Sequence, residues 1–296
     1  IYNMSKIVCF GEVLWDVFSN HKKIGGAPLN VATRLQSFKN DVTMISAIGN
    51  DRLGKLILEY LKEHNINSSQ IQVLDDFETG EVAVTLNDKG AASYKIAHPK
   101  AWDKIQFTEK ASAVVKNADA FVFGSLITRD EVSKNTLYKF LALPNYKVFD
   151  VNLRKPFYEK NILFELMQKA NFVKFNDEEI YEIAAFLNSP YKNLEQNIHF
   201  LSKETNTNHI CVTKGEHGAV LLYDGKMFYN SGYQIKVADT VGSGDSFLAT
   251  LISNLLQKEN PQKAIDTACA VGALVAQKKG ANPFISNKEI TDFMKN

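Results

Sequence analysis

The 296-residue chain, 45% hydrophobic and 23% charged, has room for one large α/β domain or two small ones and enough apolar material to fill a core. With 34 basic against 33 acidic side chains, its formal net charge of +1 argues against nucleic acid as the main partner. No apolar run is long enough to span a membrane and no charged-then-apolar leader opens the chain, while Cys9, Cys211 and Cys269 are odd in number and far apart, which suits reduced thiols in a cytoplasm. Met4 is read as the natural start, with residues 1–3 an addition ahead of it. In chain order, KIVCFG (6–11) reads as a first buried strand. VLWDVFSNHKKIGG (13–26) reads as a β ribbon turning at 20–23, and GGAPLNVATRL (25–35) sets two glycines before an apolar helix. DVTMISAIG (41–49) is a strand and RLGKLILEYLKEHN (52–65) an amphipathic helix. TGEVAVTLNDKGAASYKIAHPKAW (79–102) reads as a second ribbon turning at 87–90. DAFVFGS (119–125), YKVFDVN (146–152), NFVKFN (171–176) and HICVTKG (209–215) read as further strands, with EEIYEIAAFL (178–187) a helix among them.

Buried strands alternating with helices predict a doubly wound α/β fold, its mostly parallel sheet covered by helices on both faces. Most of these strands end in Gly, Asn, Asp or Ser, and in such sheets ligands bind outside the carboxyl ends of the strands. The two ribbons, 13–26 and 79–102, read either as one small β lid over those ends or as ordinary edge hairpins. No repeat or linker divides the chain, so 1–296 is read as one domain. No paired-cysteine or His-x-x-x-His spacing offers a metal site, and the six histidines are scattered.

The stretch ADTVGSGDSFLATLISNLL (238–256) carries the densest chemical signal. Gly242 and Gly244 flank Ser243, and Asp245 and Ser246 stand where a helix should begin, since Phe247, Leu248, Leu251, Ile252, Leu255 and Leu256 recur at helical spacing. Glycines let backbone amides approach a ligand closely, and a helix amino end attracts anions. The stretch is not a dinucleotide fingerprint, because Phe247 stands where a third glycine is needed, and no Gly-Lys-Ser/Thr makes it a Walker loop. Two readings of Asp245 stand: a helix N-cap, or a base aimed at a nucleophile, since a carboxylate pointing at bound phosphate would repel it.

The other polar positions also carry paired readings. Asn30, near a helix start, either bonds backbone or offers a donor and an acceptor to a polyol. Asp16, inside an apolar ribbon, needs a partner, which sugar hydroxyls or a backbone turn would supply. In FNDEE (175–179), Asn176 and Glu179 are three apart and share a face. They form either a cap with favourable charge or a polar and an acidic group facing Mg²⁺ and its waters. DVNLRKPF (150–157) brings Asp150, Asn152 and Arg154 to a strand end, where Arg154 either holds a phosphate or pairs with an acid. VTKGEHG (212–218) is by itself a turn.

Taken together, DTVGSGDSF (239–247) closely resembles the C-terminal signature of the PfkB, or ribokinase-like, family of sugar kinases, and GGAPLNVA (25–32) resembles its N-terminal signature. FNDEE resembles that family's Asn-x-x-Glu motif and VTKGEHG its nucleotide loop, in family order across nearly the whole chain. The resemblance implies transfer of the ATP γ-phosphate to a sugar hydroxyl under a β lid, with Asp245 the base and Gly242, Ser243 and Gly244 the anion hole. It implies Asp16, Gly26 and Asn30 for sugar. It implies Asn176, Thr213, Gly215, Gly218 and Gly244 for the nucleotide, with Glu179 meeting Mg²⁺ through water. Asp239, Val241, Val275, Lys278 and Gly280 match positions that hold a monovalent cation such as K⁺ in some members, while Phe284 stands where some members offer a serine. A cytoplasmic kinase is expected, as a homodimer through the lid. GEVLWDVF, GGAPLNVA, FGSL and FDVNLRKPF look most like bacterial fructokinases, Ala27-Pro28 being the informative pair. 2-Keto-3-deoxygluconate, ribose and nucleosides are the alternative acceptors, and a non-catalytic sugar- or nucleotide-binding regulator is the alternative of a different class.

Overall fold

A computed structural model describes residues 4–86 and 92–295. Its strands are β1 Lys6–Phe10, β2 Leu14–Val17, β3 Lys22–Gly25, β4 Asp41–Gly49, β5 Asn67–Leu74, β6 Gly80–Leu86 and β7 Ala92–Ile96. They continue with β8 Ala120–Gly124, β9 Tyr146–Asp150, β10 Phe172–Asn176, β11 His209–Thr213, β12 Ala219–Tyr223 and β13 Lys226–Asn230. The helices are α1 Ala27–Ser37, α2 Arg52–Glu63, α3 Glu109–Lys116, α4 Glu131–Leu141, α5 Lys160–Lys169, α6 Asp177–Phe186, α7 Leu194–Thr205, α8 Ser243–Leu256, α9 Pro261–Ala276 and α10 Asn287–Phe293.

A nine-stranded sheet runs in the order β13-β12-β11-β10-β9-β8-β1-β4-β5, parallel from β11 to β5 and closed at one edge by the antiparallel β12 and β13. Alternation along β1 explains why its sequence is apolar throughout. Val8 and Phe10 pack into the core on one face, with Phe121, Phe123 and Phe149, whereas Ile7 and Cys9 pack into the core on the other, with Leu29, Leu248 and Ile265. The chain lays β1, β4 and β5 in one direction and then returns to β8 on the other side of β1. That reversal opens a crevice between the carboxyl ends of β1 and β8, the usual ligand position in such sheets.

The two early ribbons join in one separate four-stranded sheet, β3-β2-β6-β7, through parallel pairing of β2 with β6 (Leu14 opposite Gly80). The first turn lies two residues earlier than its sequence predicts. Lys22 and Lys23 already belong to β3, and the loop closes when the Phe18 amide donates to His21 O at 2.9 Å, with the Phe18 and His21 rings stacked at 4.5 Å. The expected turn at 87–90 falls outside the described residues. Among the described residues, no helix is long and apolar enough to cross a membrane. Cys9, Cys211 and Cys269 are buried free thiols.

Candidate active site

At the amino end of α8, Gly242 is the N-cap and lies in the left-handed region at φ 74°. A Cβ there would come within 2.5 Å of Ala281 O and 2.6 Å of Ala281 Cα, so glycine is required by both conformation and space. Ser243 Oγ donates to Gly272 O at 3.0 Å and ties the turn to α9, while the Ser243 amide is taken by Thr240 O at 3.2 Å. The amides of Gly244 and Asp245, in the first helical turn, are left to meet an anion.

Asp245 is not the N-cap. The helix begins two residues earlier, at Ser243, because the glycine turn can supply the cap geometry itself. The Asp245 carboxylate turns away from the helix amides and accepts from Asn30 Nδ2 at 2.8 Å. Asn30 is buried on α1, and its other end accepts from Asn282 Nδ2 at 2.9 Å, so both ends of this amide already have protein partners. Withdrawal from water pushes the Asp245 carboxyl up to about 6, helped by Asp150 and opposed by Asn30, Lys174 and Arg154.

The sugar-side candidates gather at the same place. Gly26 has φ 110°, and a Cβ on it would lie 2.5 Å from Glu12 O. Glu12 is 4% exposed. Its Oε1 accepts from the Ala27 amide at 3.3 Å, and its Oε2 is buried with no partner. Asp16 on β2 is pushed up to about 6 by withdrawal from water, against Lys23 and Arg154. Arg154, exposed on the segment after β9, donates to Leu153 O at 3.0 Å, and its charge is felt at Glu12, Asp16 and Asp245.

Beneath the glycine turn, Asp150 and Lys174 stand opposite each other on β9 and β10 and pair at 3.1 Å, both buried. Lys174 Nζ lies 3.6 Å from where a Cβ on Gly244 would sit. Asp150 Oδ2 has no hydrogen-bond partner. Asn176 and Glu179 form a capping box on α6. Asn176 Oδ1 accepts from the Glu179 amide at 2.8 Å, Glu179 Oε2 from the Asn176 amide at 2.7 Å, and Glu179 Oε1 from the Leu153 amide at 2.9 Å. The cap reading of this motif is therefore realised in the backbone. Asn176, Thr213, Gly215, Gly218, Ser243 and Gly244 nevertheless line one cavity of about 1050 Å³ with the 231–237 segment and α9.

The remaining expected positions lie around residue 239. Asp239 Oδ1 accepts from the Val241 amide at 3.1 Å and Oδ2 from the Gly280 amide at 3.0 Å. Val275 O accepts from the Lys278 amide at 2.9 Å, and the Lys278 ammonium donates to Phe284 O at 3.0 Å. The Asp239 carboxylate and Val275 O are thus engaged within the protein. Among the described residues no cluster of three or more His, Cys, Asp or Glu is arranged to hold a metal.

Glu12, Lys174 and Asn282 are the site residues that sequence reasoning misses. Glu12 and Lys174 leave a signal, a charge inside an apolar stretch (FGEVL and FVKFN) that demands a buried partner. Asn282 leaves none. Its place beside Asn30 is a tertiary contact across 252 positions.

Comparison with known proteins gives the family and the fold. A family model for "pfkB family carbohydrate kinase" matches residues 1–288. The chain is 27% identical over 314 residues to probable fructokinase-6, chloroplastic, of Arabidopsis thaliana, covering 96% of this chain and 80% of the relative. It is 26% identical over 273 residues to the fructokinase of Escherichia coli, covering 87% of each. The crystal structure of fructokinase with bound ATP from Xylella fastidiosa superposes with TM-score 0.86 at 20% identity, covering 98% of each chain, a likeness of fold. An uncharacterized sugar kinase, PH1459 from Pyrococcus horikoshii in complex with ATP, superposes with TM-score 0.82 at 25% identity, covering 97% of this chain and 99% of the other.

Proposed function

The chain belongs to the pfkB family of carbohydrate kinases, and from that premise we propose that it transfers the γ-phosphoryl group of ATP to a hydroxyl of fructose, with Asp245 as general base. The observation that carries this reading is the Asn30–Asp245 hydrogen bond at 2.8 Å, which turns the carboxylate off its own helix and toward the sugar-side residues. Asp245 then takes the hydroxyl proton as that oxygen attacks phosphorus, and the bond from phosphorus to the ADP oxygen breaks. The amides of Gly244 and Asp245 meet the charge on the moving phosphoryl group, Lys174 adds positive charge beneath them, and Arg154 approaches from the open side. ATP occupies the cavity lined by Asn176, Thr213, Gly215 and Gly218, and the sugar lies against Asp16, Gly26 and Asn30.

Mg²⁺, when bound with the nucleotide, would neutralise its phosphates. The unpartnered Asp150 Oδ2 fits that role, and Glu179, whose two oxygens each accept a backbone amide, would meet the ion only through water, a small protein share being usual for this ion. No step is assigned to a monovalent cation. The three buried thiols suit a reducing cytoplasm.

Two expected results test the reading. In a coupled ADP-release screen over fructose, ribose, 2-keto-3-deoxygluconate, tagatose and nucleosides, fructose is expected to give the highest kcat/KM. A clear preference for ribose or a nucleoside would overturn the choice of sugar but not the kinase. The four-stranded sheet acts as a lid in this proposal, so the amides of β2 and β6 are expected to gain hydrogen-exchange protection at saturating sugar. Unchanged protection would remove closure from the mechanism.

A further inference from the structure

Glu12 is a buried acid beside the proposed site that the proposed chemistry leaves without a task. It follows β1 directly, at the crevice where the strand order reverses. Its Oε1 holds the amide of Ala27, the first residue of α1, at 3.3 Å, and its main-chain carbonyl lies against Gly26. The Gly26 cap contributes no side chain and the first turn of α1 carries no acid, so the side-chain oxygen that accepts a free amide at this helix end comes from Glu12. One turn further on, Asn30 holds Asp245.

We propose that Glu12 is a positioning residue for phosphoryl transfer: as a neutral acid it keeps the amino end of α1, with Gly26 and Asn30, in register with Asp245, and its ionisation loosens that register. The proposal rests on Asp245 acting as the base. Oε2 explains why neutrality matters. It is sealed from water with no donor facing it, so a negative charge there has nothing to meet it. The charged groups that face Glu12 come from two elements. Arg154, after β9, favours the ionised form, and Asp245, on α8, opposes it. The first turn of α1, Ala27 to Asn30, contributes no ionisable side chain. Withdrawal from water outweighs the backbone hydrogen bonds and Arg154 and carries Glu12 up to about 7, above Asp245 at about 6.

The signs of the two titrations differ in effect. Asp245 must be ionised to accept a proton, so kcat/KM for the sugar falls as pH drops through about 6. Glu12 must be neutral, so kcat/KM falls again as pH rises through about 7. The wild-type profile is expected to be a narrow bell, losing about tenfold between about pH 7 and about pH 8.3 on its alkaline side. Glu12→Gln keeps the shape and an oxygen for the Ala27 amide but cannot ionise. Its alkaline limb is expected to vanish while the acid limb stays. Glu12→Ala is expected to raise sugar KM by about tenfold with less than about a twofold change in ATP KM. An alkaline limb that persists in Glu12→Gln, or a Glu12→Ala variant whose melting temperature moves while sugar KM does not, overturns the proposal. Calorimetry on the wild-type protein reads the same coupling without a variant, and a fructose affinity that is equal at about pH 6.5 and about pH 8.3 overturns it too. Failure of the parent reading looks different, because the wild-type enzyme would then release no ADP with any sugar.

Discussion

Asp245→Asn is expected to lower kcat by about 10²–10⁴-fold, the usual worth of a positioned general base, and to leave the protein folded. The amide has the size of the carboxyl, and its oxygen can accept the same bond from Asn30 Nδ2 that Asp245 accepts at 2.8 Å. It cannot take a proton. Helix capping does not confuse the test, because Gly242, not Asp245, caps α8. The stability sign is also fixed. The folded protein raises the Asp245 carboxyl from its ordinary value to about 6, so folding favours the neutral acid. That contribution is present below about pH 4 and is lost as pH rises through about 6. At neutral pH the ionised side chain costs stability that asparagine does not, so the melting temperature of the variant should equal or exceed that of the wild type. ATP affinity should hardly change, since the cavity proposed for the nucleotide is lined by other residues. Near-normal kcat in the folded variant would sink the assignment of Asp245 as base.

Lys174→Met should be the most damaging substitution for stability, by about 3–5 kcal/mol, the range for removing one partner of a buried ion pair. Lys174 and Asp150 have side chains only 8% and 5% exposed and meet at 3.1 Å. Asp150 Oδ2 already lacks a partner, so loss of the ammonium leaves the whole carboxylate unmet. Glu179 and Asp245 also lose the cation that offsets them, as both feel Lys174. Methionine fills a similar volume, which limits any cavity contribution. The pairing explanation requires that Asp150→Asn restore stability in the Lys174→Met background, because the uncompensated charge is gone. Denaturant midpoints of the wild type, Lys174→Met, Asp150→Asn and the double variant decide it. A double variant no more stable than Lys174→Met alone would show that the cost comes from packing.

The fold was legible where chemistry repeats along the chain. β1, β4, β8, β9, β10 and β11 are apolar because both faces of each are buried, and that shows as continuous runs. β5 was not legible. As the outermost strand it reads NSSQIQVL and is mostly partly exposed, so the pattern is diluted by Ser and Gln. The β12–β13 hairpin leaves a usable sign, Asp224-Gly225 between apolar runs. At the site, the glycine turn and the carboxylate after it stood out because glycine pairs are rare outside special geometry. Sequence could not say that Asp245 reaches Asn30, since 215 positions separate them and only the packing of α1 against α8 brings them together.

The backbone passes from β3 into α1 without a connecting loop, Gly25 ending the strand and Ala27 beginning the helix. In the proposed lid motion this continuity works as a lever. Tilting the small sheet rotates the residues that grip the acceptor alcohol, and gripping the alcohol pulls on the sheet. Water is too small to load such a lever, since it cannot hold several of these residues at once. On that proposal the safeguard against futile ATP hydrolysis would be mechanical: an empty acceptor site would leave the sheet slack, with the nucleotide in a cleft not yet assembled for reaction.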